Sequence, residues 1–426
     1  MLLKLLSIPE LDFYKSWVNG WNKIKKLNNF DKYMTIFWFL GPFIYLIERD
    51  PADLWLTLVG LIFLVRCIAK KDWSWSSQLW FKCALGLWLY GLFSALTGPD
   101  PMFTFQQGIV WIRFPLYAAA AQAWLAKDRD IRVLMFLSIM IGMLIMCAIL
   151  IAETIIEPKR RLSWPYGDLV PGGYIAKVSL PVFAVLMAIA VSKTNKAGLF
   201  SGIVGFFSII VSILTGERTH FLIRACGGML AALVWKPKLK LYAMLIFVEI
   251  LAVIGVFIIR PDLSTNFTNN FVKQIPIVNT DTGYWGSWRG GIQQGLMTPF
   301  KGVGPSGTRN TCINLDTTQP EWLPGKNYCG NHPHNIYVQL FAEVGIIGLI
   351  LGSIMFVSIT VSCFQVRKTN FSCPMAATAF VIPFGLFFPL QQFGSFYGQW
   401  GNLFIWFAVG FALSQVQNYK KYHNIC

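Results

Sequence analysis

Two histidines stand close together in the stretch GNHPHNIYVQLFAEVGIIGLI, which covers residues 330–350. His332 and His334 flank Pro333, so the chain there should be extended, with a helix beginning near His334. An imidazole titrates near neutral pH and is therefore suited to act as a general base. His334 is the candidate base, and His332 is a neighbour that shapes or polarises it. The alternative for His334 is a histidine buried in the core.

The residues after the histidines predict the helix that holds His334. Asn335, Gln339 and Glu343 recur at intervals of four and form a polar stripe on an otherwise apolar helix. Polar side chains within a membrane usually face other helices rather than lipid. Asn335 and Gln339 are therefore candidate supporting residues. Three glycines predict a face for close helix packing, namely Gly345, Gly348 and Gly352.

Two arginines lie in stretches that could bind an anion. In LTGERTHFL, Arg218 follows Gly216 in a very short turn between apolar segments, which places it at the membrane boundary. In GSWRGGIQQGLMTPFKGVGPSG, Arg289 lies among glycines and aromatic residues. A guanidinium binds phosphate through a bidentate fork, and bare glycine amides also attract anions. The alternatives are an Arg218 that extends to lipid headgroups and an Arg289 on an ordinary surface helix.

A third basic group, EPKRRLSWPYG, contains Arg160 and Arg161. It breaks the trend of basic residues toward the cytoplasm and predicts an anionic partner, with outer-leaflet phospholipid as the alternative. No metal site is expected, because His332 and His334 lack a third ligand at a standard spacing. No other cofactor is expected either.

The chain that positions these residues is apolar: 55% of its 426 residues are hydrophobic and 13% are charged. Soluble domains carry about 25% charged residues. The prediction is an all-α polytopic membrane protein with about 12 transmembrane helices, since the short alternating segments of a β-barrel do not occur. The apolar segments lie near 34–48, 53–69, 78–97, 106–126, 133–156, 173–192, 198–215, 219–235, 241–259, 335–360, 374–391 and 397–416.

Loop charges predict the orientation. Lys and Arg concentrate in alternate loops, which should be cytoplasmic, so both termini are expected on the cytoplasmic side of the membrane. The net charge of +16 is scattered over short loops, which argues against nucleic-acid binding. The layout predicts an amphipathic, cytoplasmic segment on membrane lipids (1–32) and helices 1–9 (33–259). A periplasmic or extracellular loop (260–333), helices 10–12 (334–417) and a cytoplasmic tail (418–426) follow.

The long loop contains two cysteines. Cys312 and Cys329 lie in small polar surroundings on the oxidising side, which favours a disulfide between them. The disulfide would stabilise the fold by about 3 kcal/mol, because it lowers the conformational entropy of the unfolded chain. Two free thiols are the alternative. Five further charged residues lie within the predicted spans and have no assigned role, namely Arg113, Glu153, Lys177, Arg224 and Glu249.

The pieces LTGERT around Arg218, SWRGGIQQGLMTPFKGVG around Arg289 and HPHNIYVQLFAEVGIIG around His334 resemble the O-antigen ligase/polymerase superfamily of bacterial membrane glycosyltransferases. The resemblance implies a GT-C-type helical fold, an undecaprenyl-diphosphate-linked glycan donor and, for ligases, a lipid A–core acceptor. It also implies that Arg218 and Arg289 bind the diphosphate, while His334 activates the acceptor hydroxyl for inverting, metal-independent transfer with a periplasmic active site. Glu217 departs from this picture, because it could pair with Arg218.

Three acceptors are possible within this superfamily. A ligase uses lipid A–core, a polymerase uses another lipid-linked glycan, and a protein O-glycosyltransferase uses Ser or Thr. The compact chain favours the ligase over the protein-modifying relatives, whereas a polymerase would use the same histidine and arginines. A lipid-linked-glycan transporter is the alternative from another class; it would show paired broken helices in corresponding halves and would not need the long loop.

Overall fold

The computed structural model describes residues 13–157, 161–167, 171–265, 267, 283–311, 330–369, 373–392 and 394–416. Regular structure within these ranges is helical, without a strand. The prediction of an all-α fold is thereby confirmed for the described part of the chain.

The first half of the fold consists of helices that begin at polar capping residues. The side chains of Asn28, Asp100 and Asp128 accept hydrogen bonds from backbone N–H groups in the first turn that follows each of them. Such caps satisfy amides that have no partner within the helix. The helices are α1 (Phe13–Lys25), α2 (Asn29–Phe39), α3 (Gly41–Ile44), α4 (Arg49–Lys70), α5 (Leu79–Leu96), α6 (Pro101–Ile109), α7 (Arg113–Ala120) and α8 (Arg129–Ile156).

The second half surrounds a central helix, α10, of which every residue except Ala190 is buried. The neighbouring α13 is the opposite case, since Phe247, Ile250 and Leu251 are exposed, as expected for a helix in contact with lipid. The helices are α9 (Pro171–Val178), α10 (Leu180–Ser192), α11 (Lys196–Leu214), α12 (Arg218–Val234), α13 (Leu239–Ile259), α14 (Gly283–Met297), α15 (Thr308–Thr311), α16 (Ile336–Thr369), α17 (Pro374–Thr378), α18 (Val381–Leu386) and α19 (Gln399–Ser414).

Six of the described helices are long and apolar enough to cross a membrane, and α9 with α10, bent by 55°, makes a possible seventh. The six are α4, α5, α8, α11, α13 and α16. The count of twelve is therefore not confirmed. Five predicted segments make up the difference. The backbone divides three of them: 34–48 becomes α2 and α3, 106–126 is split between α6 and α7, and 374–391 becomes α17 and α18. The other two, 219–235 and 397–416, correspond to α12 and α19, which have 17 and 16 residues.

The N-terminal helix α1 was expected to be amphipathic and to lie on the inner leaflet. The structure shows it as a helix packed on α8. Nζ of Lys23 lies 2.8 Å from Oδ1 of Asp128 and 2.6 Å from Oδ2 of Asp130. The contact with the leaflet stays a prediction.

A buried guanidinium fastens the bend between α9 and α10. Nη1 of Arg224, on α12, donates to the carbonyl oxygen of Ile175 at 2.8 Å and to Oγ of Ser179 at 2.9 Å. Nη2 donates to Oγ of Ser208 on α11, and the Phe183 ring lies 3.8 Å from Cζ. The π-turn that ends α9 interrupts the ordinary hydrogen bonding of the helix, and the carbonyl oxygen of Ile175 accepts instead from Arg224 and from Oγ of Ser179 at 2.6 Å. Arg224 therefore has a structural role.

Two of the other charged residues in the predicted spans also have polar partners. Nη2 of Arg113 lies 2.9 Å from Oδ1 of Asp53, which joins α7 to α4. The Glu153 carboxylate accepts hydrogen bonds from the backbone N–H groups of Ser163 and Trp164. Glu249 is buried on α13, and its Oε1 accepts no hydrogen bond among the described residues.

Helix α16 is interrupted at Gly345, whose φ of 71° and ψ of −170° are not helical. A Cβ atom on this glycine would collide with the carbonyl oxygen of Phe300. The segment that fills the interruption, residues 299–307, is called the docking turn below. It bonds to the backbone on both sides of the interruption: Ile346 N donates to Pro299 O at 2.7 Å, and Val303 N donates to Ala342 O at 3.1 Å.

The docking turn is wedged between α16 and α5. Gly304 N donates to Glu343 O at 2.8 Å, and Tyr90 Oη donates to Phe300 O at 2.9 Å. Ser94 Oγ donates to the carbonyl oxygens of Glu343 and Lys301. Non-helical backbone within a membrane is tolerated only where protein buries it and satisfies its polar groups. Residues 302–307 of the docking turn are buried and meet both conditions, whereas residues 299–301 are exposed.

The glycine face predicted on α16 is not observed as such. A Cβ on Gly348 would first meet Val344, and one on Gly352 would first meet Leu340 at 2.5 Å, both within α16 itself. These glycines therefore leave room for the part of α16 before the interruption.

Candidate active site

The two histidines form a pair of contacting rings. The ring centroids of His332 and His334 are 4.2 Å apart, with an angle of 56° between the ring planes. His334 has a φ of 58°, a left-handed conformation that is uncommon outside glycine. Such backbone persists where the surroundings fix it, and it occurs often at functional sites. Helix α16 begins at Ile336, two residues after His334.

The surroundings of His332 and His334 favour the neutral form of both imidazoles. Burial, the neighbouring His334 ring and the charge of Arg309 lower the pKa of His332 to about 4. Burial also lowers the pKa of His334. A neutral imidazole has a free nitrogen lone pair and can accept a proton from a hydroxyl group.

Asn335 fixes residues 332–335, called the histidine turn below, through both ends of its side-chain amide. Its Oδ1 accepts hydrogen bonds from the N–H groups of Tyr337 at 2.9 Å and Val338 at 3.1 Å, which makes it the N-cap of α16. Its Nδ2 donates to the carbonyl oxygen of Pro389 at 2.7 Å. Pro389 belongs to residues 387–398 between α18 and α19, called the connecting loop below. Asn335 therefore fixes the start of the helix behind His334.

Gln339 and Glu343 continue the polar stripe and join three segments. Gln339 Oε1 accepts from Phe396 N at 2.8 Å, and Nε2 donates to Glu343 Oε2 at 3.0 Å and to Ser395 Oγ at 3.2 Å. Glu343 Oε2 also accepts from Ser306 N at 2.9 Å. The stripe thus binds the connecting loop and the docking turn to α16, as its polarity predicted.

Arg218 is the first residue of α12, at the end of the short turn that the sequence predicted. This turn, residues 215–218, is called the Arg218 turn below. The preceding Glu217 occupies the N-cap position, but its side chain makes no capping hydrogen bond. Thr219 Oγ1 donates to Oε1 of Gln392 at 2.7 Å. Because Gln392 lies in the connecting loop, this loop touches both the Arg218 turn and the histidine turn.

Arg289 is fully buried on α14, which packs against α16. A Cβ on Gly291 would lie 2.6 Å from Cγ1 of Val338 and 2.8 Å from Cγ of Pro333. Pro333 is the residue between the two histidines, so α14 lies directly against the histidine turn. The sequence interpretation assigned such glycines to a ligand. The structure places Gly291 and Gly295 in contact with α16 instead, where Gly295 faces Phe341.

Two basic residues near the site were not predicted from the sequence. Arg309, exposed on α15, interacts electrostatically with His332. Lys177, buried on α9, interacts with Glu217 beside Arg218. The pattern of the sequence gives no signal for either contact, because each joins segments that are far apart in the chain.

Several predicted features lie outside the described residues, namely Arg160, Cys312 and Cys329. The disulfide therefore stays a prediction. Arg161 is described, with Nε 3.8 Å from Oε1 of Glu217. No group of three or more His, Cys, Asp and Glu side chains in the described ranges could hold a metal ion. Metal independence also stays a prediction.

The connecting loop and α14 together bring the Arg218 turn, the Arg289 helix and the histidine turn to one region. Fold and site define a multi-pass helical membrane protein with basic residues placed next to a neutral histidine pair. A family model described as O-antigen ligase matches residues 203–352, which supports a relationship to the O-antigen ligase family. The matched segment contains Arg218, Arg289 and both histidines. No curated protein matches the chain.

Proposed function

We propose that the protein is an O-antigen ligase that transfers glycan from an undecaprenyl-diphosphate carrier to a hydroxyl of lipid A–core. The family match supports ligase or polymerase chemistry on a lipid-linked glycan. One observation carries the assignment to this site: the connecting loop binds Thr219 beside Arg218 and Asn335 beside His334. A diphosphate-binding cation and a neutral base, each next to a residue that the same loop contacts, are the two groups that the reaction needs.

His334 and the two arginines act on opposite sides of the anomeric carbon of the donor sugar. His334 takes the proton of the acceptor hydroxyl, and the oxygen forms a new bond to the anomeric carbon of the donor sugar. The bond from that carbon to the diphosphate oxygen breaks with its electron pair, and undecaprenyl diphosphate leaves. Direct displacement inverts the anomeric carbon. The proton then passes from His334 to solvent.

Arg218 and Arg289 stabilise the charge that develops on the leaving diphosphate. Preorganised charges of this kind often contribute more to catalysis than any other effect, because they need no rearrangement during the reaction. Arg289 is held by burial on α14, and Arg218 by the turn before α12. Asn335 and Gln339 support the base by fixing the turn in which it lies.

The membrane arrangement belongs to the same proposal. We place both termini in the cytoplasm, the active site and residues 260–333 in the periplasm, and twelve spans in the inner membrane, with the broken helices counted as spans. Cysteine accessibility tests this topology. A cysteine introduced at exposed Arg309 is expected to react with a membrane-impermeant reagent in spheroplasts, whereas one at exposed Lys71 should react only after lysis.

The same site would serve a polymerase, for which the acceptor is a second lipid-linked glycan. The protein O-glycosyltransferase also shares the donor chemistry. The interrupted helices α9–α10 and α16 favour a further candidate, a transporter of lipid-linked glycan, since transporters place binding sites at broken helices. A transporter moves the donor without cleaving it, so product analysis separates these functions.

The experiment is reconstitution of the purified protein with lipid-linked glycan, lipid A–core and an acceptor peptide, in the presence of EDTA. Glycan on lipid A–core is expected. Lengthened lipid-linked glycan would instead identify a polymerase, glycan on Ser or Thr a protein glycosyltransferase, and intact donor in the opposite leaflet a transporter. The His334→Ala variant is the matched inactive control.

A further inference from the structure

A cluster of charged side chains lies where α9 meets the turn between α11 and α12. A Cβ atom on Gly172 of α9 would lie 2.7 Å from Nδ1 of His220 and 3.4 Å from Cβ of Glu217. The bare backbone at Gly172 thus lets α9 pack directly on this turn. Lys177 is buried further along the same element, within electrostatic reach of both Glu217 and His220.

A second cation reaches the cluster from the segment after α8. The buried Glu153 carboxylate accepts hydrogen bonds from Ser163 N at 2.8 Å and Trp164 N at 2.8 Å, and this fixes the backbone that follows Arg161. The Arg161 side chain then extends toward Glu217, with 3.8 Å between Nε and Oε1.

Glu217 is the carboxylate on which the cluster converges. Although it stands at the N-cap of α12, its side chain does not cap the helix, and it interacts instead with Arg161, Arg218 and Lys177. Three cations thus interact with this one carboxylate among the described residues. A convergence of cations in a partly buried cluster favours an anionic ligand.

We propose that Arg161, Lys177 and Arg218 together hold the diphosphate of the donor, and that Glu217 is the counterion that the diphosphate displaces from them. The proposal rests on the proposed function for the identity of the lipid. It extends the site beyond the family match, because Arg161 and Lys177 lie outside residues 203–352.

The resident carboxylate also gives the site a means of selection. A diphosphate ester has an ionised oxygen on each phosphorus and can replace the carboxylate with a net gain in charge pairing. A phosphodiester headgroup such as phosphatidylglycerol has a single charge and gains little by the exchange. Glu217 would thus disfavour binding of phospholipid headgroups more than binding of the diphosphate. Such selectivity is useful at a site that is surrounded by abundant anionic phospholipid.

The test is binding of radiolabelled undecaprenyl diphosphate to the full chain in phosphatidylcholine nanodiscs. Glu217→Gln is expected to bind about tenfold more tightly than wild type, because the competing charge is removed. Arg161→Gln and Lys177→Met should bind about tenfold more weakly. Asp50→Asn and Arg49→Gln are charge-matched controls in an exposed pair with 3.3 Å between Nε and Oδ1, and they should bind like wild type.

Competition identifies the ligand. Inorganic diphosphate should displace the labelled lipid from wild type, whereas phosphatidylglycerol should displace it only from Glu217→Gln. Displacement from wild type by phosphatidylglycerol at an equal mole fraction would show a site for ordinary anionic lipid and would overturn the proposal. Equal binding by Glu217→Gln and Asp50→Asn would overturn it as well.

Failure of this proposal can be told apart from failure of the proposed function. Binding needs no acceptor, and His334→Ala should bind the lipid like wild type. If the binding pattern holds but no glycan is transferred, only the ligase assignment is wrong. If transfer occurs and the KM for donor is unchanged in both Glu217→Gln and Arg161→Gln, only the present proposal is wrong. Arg161 is partly exposed, so its variant tests binding without disturbing the core.

Discussion

Replacement of Gly345 by alanine should release the docking turn from α16. The φ of 71° and ψ of −170° at this residue belong to a region of backbone conformation that is almost restricted to glycine. The added methyl group would also meet the carbonyl oxygen of Phe300. Helix α16 can relieve both problems by closing into a continuous helix, but it then excludes the docking turn.

The expected loss of stability follows from these two effects. A non-glycine residue in this conformation costs about 1–3 kcal/mol. If the turn is released instead, the bonds from Val303, Gly304 and Ile346 are lost, and each contributes about 0.5–1.5 kcal/mol net. The two outcomes together predict a loss of about 1–4.5 kcal/mol in the free energy of unfolding. Transfer activity should fall too, because Glu343 and Gln339 lose their arrangement below the histidine turn.

The assay compares Gly345→Ala with Gly255→Ala, each as the purified protein in mixed micelles. A Cβ on Gly255, in α13, would have no atom within 4 Å, so alanine there should be neutral or stabilising by up to about 1 kcal/mol. Chemical denaturation gives the stability difference. Hydrogen exchange reports on the amides of Val303, Gly304 and Ile346, which should lose protection in Gly345→Ala alone.

Unchanged stability in Gly345→Ala, together with protection of those amides equal to that in Gly255→Ala, would refute the reasoning. It would mean that the docking turn is not held by the interruption in α16. A stable Gly345→Ala variant with normal transfer but unprotected amides would refute only the link between the turn and the active site.

Three further predictions concern single residues. His334→Ala should retain its fold, judged by an unchanged thermal unfolding midpoint, and lose transfer; transfer at the wild-type rate would exclude His334 as the base. Because burial lowers the pKa of His334 below the value of a free imidazole, about 6.5, the neutral form persists at lower pH. The acid limb of kcat/KM should therefore lie below about pH 6.5, and a limb above that pH would contradict the assignment. Arg224→Met should lower the free energy of unfolding by about 1–3 kcal/mol, because Ile175, Ser179 and Ser208 lose the hydrogen bonds that Arg224 donates to them; an unchanged unfolding midpoint would argue against the structural role.

Hydropathy was enough to predict the helical membrane class, but it could not locate the breaks. A window average treats Gly345 like any other small residue, and the spacing of Gly345, Gly348 and Gly352 favoured a packing face. The structure instead uses Gly345 for a backbone conformation, which depends on Phe300 far away in the chain. The segment 34–48 fails for a related reason, since α2 ends at Phe39 and α3 begins at Gly41 without a loss of apolar character.

The candidate site was predictable to the extent that residue type and local spacing define it. His334, its capping neighbour Asn335 and the Arg218 turn each stand out within a few residues of sequence. Lys177 and Arg309 do not, because their significance comes from contacts with Glu217 and His332 that only the folded chain creates.

The position of Arg224 also constrains the order in which the helices can be assembled. A guanidinium is costly in the hydrocarbon interior unless polar groups are already there to receive it. Its partners at Ile175, Ser179 and Ser208 all precede it in the chain, on elements that the ribosome completes earlier. We therefore expect α12 to enter the bilayer against a preformed surface of α9, α10 and α11, rather than alone, so that biogenesis of this protein depends on retention of earlier helices near the translocon.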